Sequence, residues 1–258
     1  MKKAEPNYPI KVLNKTFSIL EILLQHGSAM NMTEISKKIG LYPSTIHRIL
    51  DTLKYWGYVE QNPNTQKYQL GLKLVELGMA KINQMDLVRE AAPYLRELAK
   101  QCNETVHLGI LEEGEVLYLA KEESTQTIRM ISYVGKRAPL HCTALGKVLL
   151  AHMSEEERKK ILEDKELPRL TEKTITDKGE LEKELNEIKK QDFALDREEN
   201  EKNIRCIAAP IRNYQEKVIA AISISSPIFR IDKNVQNNLK EALIKTSNKI
   251  SKRLGCKL

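Results

Sequence analysis

Apolar residues recur along this chain at two spacings, and the change of spacing near residue 103 divides it. Upstream the spacing is helical, at i, i+3, i+4 and i+7; downstream, short stretches alternate as strands do. A first helix is expected over Val12–Gln25, with Leu13, Phe17, Leu20, Leu23 and Leu24 on its packing side and Gly27 after it. From Asn31 to Gly57 the pattern gives two short amphipathic helices. Ile35 and Ile39 lie one turn apart in the first, Asn31 and Glu34 have the spacing of a capping box, and Met30 with Ile35 that of a hydrophobic staple. Gly40 suits the left-handed residue that ends such a helix, and Pro43 suits the first turn of the next. In that second helix Ile46, Ile49, Leu50 and Leu53 form one stripe, opposite Ser44, Arg48 and Asp51, with Thr45, His47 and Thr52 on the shoulders. Tyr58–Gln61 and Gln66–Leu70, joined by Asn62-Pro63-Asn64-Thr65, read as a hairpin. A plain helical hairpin with a solvated face would satisfy the two helices alone. The upstream helix and the downstream hairpin go beyond it and complete a winged helix-turn-helix.

Gly71–Gln84 is again helical, with Leu72, Val75 and Met79 spaced for one face, and Leu87–Cys102 follows, with a kink or restart expected at Pro93. Then come strands at Thr105–Leu111, Val116–Glu122 and Ile128–Val134, a loop over 135–143, and a helix over Ala144–Met153. Ser154 and Glu157 form a second capping-box pair, and Asp177 with Glu180 opens a charged helix to about Lys190, expected to be solvated. Strands at Phe193–Arg197, Ile204–Ile211 and Val218–Ser225 precede a closing helix over Asn234–Leu254. Strands joined by short hairpins and mixed with helices predict an α+β domain with a largely antiparallel sheet.

At 258 residues the chain has room for two domains. The net charge of +7 is uneven: residues 1–78 carry ten Lys/Arg against six Asp/Glu, a bias that fits phosphate attraction. No apolar run approaches the roughly 20 residues of a membrane span, and the basic start has no signal-peptide core behind it. Cysteines at 102, 142, 206 and 256 are too scattered for a metal knuckle or a C-x-x-C pair and read as reduced cytoplasmic thiols.

Tests for enzymatic chemistry give little. Ala144-Leu145-Gly146-Lys147-Val148 lacks the glycine spacing and the hydroxyl of a phosphate-binding loop. No G-x-S-x-G elbow or H-E-x-x-H helix is present. The five histidines show no ligand spacing; a metal held by His107, His141 and Cys142 is the one arrangement open to convergence, against the plainer reading of hydrogen-bonding side chains. No cofactor and no metal are expected. Asp196 with Cys206 is the only pair that could serve an enzyme on a small acid, and Cys206 alone would serve a redox switch. Along Ala220–Ser226, Ser223 and Ser225 face one side of the strand and Ile222 and Ile224 the other, leaving a solvated serine face or a ligand-facing one.

Three stretches together resemble the IclR family of transcription factors over Leu13–Leu254. They are Gly40–Leu50 followed by Gly57-Tyr58-Val59; Gly135–Lys147; and Asp196-Arg197-Glu198-Glu199 followed by Ile204–Ile211. The resemblance implies a winged helix-turn-helix DNA-binding domain over residues 1–71, a linker helix region over 72–92 and a GAF-like effector domain over 93–258. It implies a DNA-binding regulator rather than an enzyme, a repressor of a catabolic operon, in dimers and in tetramers built from them. Its partners would be double-stranded operator DNA and a small organic effector such as an acid. The expected DNA contacts are Thr33, Ser44, Thr45, His47 and Arg48, with Asn64, Gln66 and Lys67 in the wing, and Arg48 is the candidate for reading guanine. The effector pocket implied by the resemblance is lined by Met130, Ala138, Ala144 and Leu145 on one side and Asp196, Ile204, Cys206, Ser223 and Ser225 on the other. Ala138 and Leu145 differ from the residues of members that bind two- and three-carbon keto acids, so that substrate class does not carry over.

Overall fold

The computed structural model describes residues 10–83, 86–127, 132–163 and 165–257. It forms two compact units, dividing between Gln84 and Met85.

In the first unit α1 (Lys11–His26), α2 (Met32–Ile39) and α3 (Pro43–Tyr55) are followed by the hairpin β1 (Val59–Gln61) and β2 (Tyr68–Leu70), then α4 (Lys73–Asn83). Asn31 accepts from the Glu34 N–H at 2.9 Å while Glu34 accepts from the Asn31 N–H at 2.8 Å, so the capping box forms as expected. Gly40 stands at φ 72°, in the left-handed region that a side chain would oppose. The hairpin pairs Val59 with Leu70 and Gln61 with Tyr68, and Met30 exchanges two backbone bonds with Tyr68, so the segment before α2 joins the wing sheet. Ile35, Ile46, Ile49, Leu50, Leu53, Val59 and Tyr68 close one core with Ile19 and Leu23 of α1.

One expected face is different. Leu23 is buried and Leu20 half-buried as expected, but Leu13, Phe17 and Leu24 are 46%, 58% and 58% exposed, and Ile19 is buried in their place. The apolar arc of this helix is wider than the side that packs, so spacing alone does not select that side; its neighbours do. Leu72, Val75 and Met79 are likewise exposed.

The second unit contains α5 (Asp86–Cys102), β3 (Thr105–Glu112), β4 (Glu115–Glu122), β5 (Arg137–Ala138), α6 (Ala144–Ala151), α7 (Glu155–Glu163), α8 (Lys178–Gln191), β6 (Ala194–Arg197), β7 (Ile204–Arg212), β8 (Val218–Pro227) and α9 (Lys233–Arg253). Its sheet is antiparallel throughout, in the order β5-β4-β3-β8-β7-β6. Ile207, Ala209, Ile222 and Ile224 face a core shared with α5 and α9. Cys206, Ala208, Ala221, Val116 and Tyr118 face the other core, with Leu145 and Val148 of α6 and Leu181, Leu185 and Ile188 of α8.

Four expectations change here. Helix α5 runs through Pro93 without a restart. Helix α8 is not merely solvated: its charges surround a stripe of Leu181, Leu185 and Ile188, all fully buried and each worth about 1.5–3 kcal/mol of burial. The stretch read as loop over 135–143 contains β5, with Ala138 paired to Val116. Of the strand expected at Ile128–Val134, the first four residues lie outside the described residues, and Ser132, Tyr133 and Val134 are in no strand.

Candidate DNA-reading helix and effector site

Helix α3 buries the four residues its spacing selects, Ile46, Ile49, Leu50 and Leu53, which turns Ser44, His47 and Arg48 outward and leaves Thr45 half-buried. Among the described residues the Arg48 guanidinium has no ion-pair partner, whereas Lys54, one turn and a half further on, is held by Asp51 at 3.4 Å. Thr33 at the start of α2 is exposed, as are Asn64, Gln66 and Lys67 in the wing. The turn is built by Asn62, whose side-chain oxygen accepts from the N–H groups of Asn64 (2.9 Å) and Thr65 (3.0 Å). Gln66 differs from the other wing residues: its amide donates to the Pro63 carbonyl at 2.8 Å and accepts from Gln61 at 2.9 Å, so it braces the turn. Tyr42, the N-cap position of α3, is 82% exposed beside Ser44. Sequence reasoning passed over it because an aromatic residue in a turn carries no periodic signal.

In the second unit the register assembles the other site. Asp196 pairs with Cys206, Cys206 with Ser225, and Ser225 with Thr105, a polar row across four strands on the face that α6 covers. One step along, Ala208, Ser223 and His107 form the next row. Ser223 and Ser225 are 2% and 3% exposed, which removes the solvated-face reading. The Cys206 thiol and Ser225 hydroxyl are 3.2 Å apart. Asp196 is 3% exposed; burial raises its carboxyl to about 7, against the pull of the N–H groups of Glu199 and Asn200 that it accepts.

Above the rows lies the start of α6. The Thr143 hydroxyl donates to the Pro139 carbonyl at 2.6 Å and caps the helix by accepting from the Gly146 N–H at 3.1 Å. A Cβ on Gly146 would stand 2.4 Å from the Leu140 carbonyl oxygen, so only glycine lets the 139–143 loop fold onto its own helix. Leu145 reaches over β3, its Cδ1 3.2 Å from where a Cβ on Gly109 would be. Ala138, Ala144, Leu145, Ile204 and Cys206 thus share one core with this face. Met130 lies outside the described residues.

Lys147 has a structural use. It is fully buried, with its ammonium 2.7 and 2.8 Å from the two oxygens of Glu199 and 3.2 Å from Glu184. Glu199 belongs to the turn after β6, whose backbone carbonyls also accept from Thr171 and Thr174 at 2.7 and 2.6 Å. These bonds hold the turn whose N–H groups hold Asp196.

His107 and His141 do not converge. The His141 ring lies 3.1 Å from the Pro168 carbonyl, while His107 stacks on Tyr118 at 4.9 Å and meets the Ser132 hydroxyl at 2.7 Å. The remaining ring nitrogen of His107 is buried and has no partner among the described residues, at a cost of about 1–3 kcal/mol for a group so placed. Burial drives its pKa down to about 3, helped by Lys121 and Lys136. The sequence offered His107 only as a metal ligand and did not single out Tyr118; the bulge at Leu108/Gly109 that sets Tyr118 opposite Gly109 is visible only in the register.

Cys206 and Cys142 are poor nucleophiles. Burial first, then the Asp196 charge, raises the Cys206 thiol well above its ordinary range, and the same causes push Cys142 up to about 12. A thiol so placed is not thiolate at neutral pH, which speaks against both the redox switch and a cysteine-dependent enzyme.

Family models match both parts of the chain. Residues 12–63 match the IclR helix-turn-helix domain and residues 79–252 the bacterial transcriptional regulator IclR C-terminal domain. The chain is 40% identical to the transcriptional regulator KdgR of Escherichia coli K12 over 241 residues, 93% of this chain and 91% of that protein. It is 32% identical to the DNA-binding transcriptional repressor YiaJ of the same organism over 240 residues, 92% of this chain and 85% of that one. Among solved structures, an IclR homologue from Microbacterium hydrocarbonoxydans complexed with 4-hydroxybenzoate superposes with a TM-score of 0.82 at 27% identity, covering 94% of this chain and 98% of its own. With a winged helix-turn-helix in front and an effector-binding domain behind, the chain belongs to the IclR family of DNA-binding transcriptional regulators and is not an enzyme.

Proposed function

We propose that the protein is a cytoplasmic repressor of a catabolic operon whose hold on operator DNA is set by a small acid bound in the second unit. The observation that carries this is the pair of buried polar rows, Asp196–Cys206–Ser225–Thr105 and Ser223–His107, beneath the N-terminus of α6. Buried hydroxyl, thiol and carboxyl groups on one sheet face are costly unless something uses them. A helix N-terminus above them favours a carboxylate, with the first-turn N–H groups of Ala144 and Leu145 as donors. Ala138, Leu145 and Ile204 complete the apolar lining. The relatives support the reading in kind: one is a repressor by name, and one homologue was solved with a hydroxylated aromatic acid.

At the other end, α3 enters the major groove. Ser44, Thr45, His47 and Arg48 meet bases and phosphates, Arg48 reading guanine, while Thr33, Asn64, Gln66 and Lys67 hold the backbone. Two copies present two such helices to two half-sites, and dimers pair into tetramers on longer operators. The functional boundaries follow as residues 1–71, 72–92 and 93–258. The effector acts only through its difference in affinity for the DNA-bound and DNA-free arrangements.

The test is a footprint on the promoter of the protein's own gene and its neighbours, repeated while candidate acids are added. Protection that a catabolic acid releases supports the proposal; protection indifferent to every acid that stabilises the protein contradicts it.

A further inference from the structure

His107 lies outside the effector set implied by the resemblance, yet its position is tightly defined. It pairs with Ser223, so it stands on the same sheet face as the two polar rows. It is 1% exposed, with one face against Tyr118 at 4.9 Å. One ring nitrogen, Nε2, meets the Ser132 hydroxyl at 2.7 Å, and the other, Nδ1, has no partner among the described residues. Its cross-strand partner Lys121 spends its ammonium on the Ser132 carbonyl and on Glu123, each at 2.7 Å. Ser223, Ser225, Thr105 and Cys206 on the same face are uncharged hydrogen-bonding groups, and the one buried ammonium of α6, Lys147, is committed to Glu199 and Glu184.

We infer that His107 is an effector-contacting residue whose Nδ1 hydrogen-bonds an uncharged hydroxyl or carbonyl oxygen, and that the effector is a small acid carrying such oxygens along its chain. The inference rests on the reading of this sheet face as the effector site and deepens it. A ring kept neutral by burial offers one donor and one acceptor, which matches a hydroxyl or carbonyl better than a carboxylate. An acid with a bare hydrocarbon chain would cover Nδ1 without satisfying it, and a site built to bond an oxygen discriminates against the analogue that lacks it.

The test uses the full chain and three probes: gluconate and hexanoate, six-carbon acids that differ in their hydroxyls, and glycerate. Gluconate or glycerate is expected to raise the unfolding temperature, and hexanoate to leave it unchanged. His107→Phe keeps the stacked ring and should weaken binding of the stabilising acid about tenfold, the worth of one hydrogen bond, while His107→Asn restores an amide near Nδ1 and stays within about threefold of wild type. Both variants should bind promoter DNA as wild type does without acid. On the unsubstituted chain, the Nδ1 resonance of His107 in a nitrogen-15 histidine spectrum should move on saturation, a readout that needs no variant to fold. Hexanoate binding as well as gluconate, no shift with either hydroxylated acid, or an unmoved Nδ1 resonance under a stabilising acid overturns the inference. If Ser225→Ala weakens binding and His107→Phe does not, this inference fails alone. If neither variant changes binding of an acid that stabilises the chain, the sheet face is not the site and both readings fail.

Discussion

The outer face of α3 and the inner face of the second unit's sheet both carry hydroxyls and an ionisable group, under opposite conditions. On α3, Ser44, His47 and Arg48 project into solvent from a helix whose other side is packed. Their polar atoms cost nothing to the fold, because water satisfies them until DNA does. On the sheet, Asp196, Cys206, Ser223 and Ser225 are removed from water and must be satisfied by one another, by the 196–200 turn or by a ligand. Substitution should therefore show as lost affinity on the first face and as altered stability or ligand response on the second.

The largest effect is expected at the ion pair that holds the 196–200 turn. Lys147→Met leaves Glu199 buried without its partner and should cost about 3–5 kcal/mol, seen as a lowered transition for the effector domain in calorimetry. A loss no greater than that of a surface lysine would mean that the 196–200 turn is held by Thr171 and Thr174 alone. Next is Arg48→Ala, expected to weaken operator binding by about 1–3 kcal/mol with the unfolding temperature unchanged. An equal loss on unrelated DNA, with a shallower salt dependence, would reassign Arg48 from base reading to phosphate contact.

Asp196 sharpens the contrast through pH. Its folded pKa is raised from 3.8 to about 7, so the proton it keeps stabilises the fold fully at low pH, and that contribution fades as pH rises between those two values. Asp196→Asn, which has no proton to lose, should thus gain stability relative to wild type as pH is raised from about 4 to about 7, in paired denaturant titrations. A constant difference across that range would mean that Asp196 is ionised throughout. The smallest effect is expected from Cys206: operator binding should not respond to peroxide, since the thiol is buried and held protonated. A peroxide response lost in Cys206→Ser would restore the redox reading.

How much of each region could be read beforehand follows from the same contrast. The DNA-reading unit depends on caps, a left-handed glycine and one apolar stripe, all local, and Asn31, Gly40 and Ile46–Leu53 appear as expected. Where local pattern was ambiguous the expectation held only in part: the apolar arc of α1 is broad, and of Leu13, Phe17, Leu20, Leu23 and Leu24 only Leu20 and Leu23 pack, beside Ile19. The sheet strands other than β5 were also legible, including the opposite facing of Ser223 and Ile222. Which residues meet across strands was not, because register is set by long-range pairing and by the bulge at Leu108/Gly109. Hence Asp196, Cys206 and Ser225 could be singled out in the sequence but were given one pocket only by the family resemblance, while the place of His107 against Tyr118 and the Lys147–Glu199 pair came from the structure. Helix α8 shows the remaining failure, since counting charges hid the buried stripe of Leu181, Leu185 and Ile188.

The central claim is that the buried rows decide what the exposed helix does. Its most direct test is the affinity of the full chain for its own promoter DNA, by fluorescence anisotropy with and without the acid that stabilises it, in wild type and Ser225→Ala. The account predicts equal affinity for the two proteins without acid, and a change on adding acid that wild type shows and Ser225→Ala loses. An acid response preserved in Ser225→Ala, or a basal affinity altered by that substitution, would contradict it.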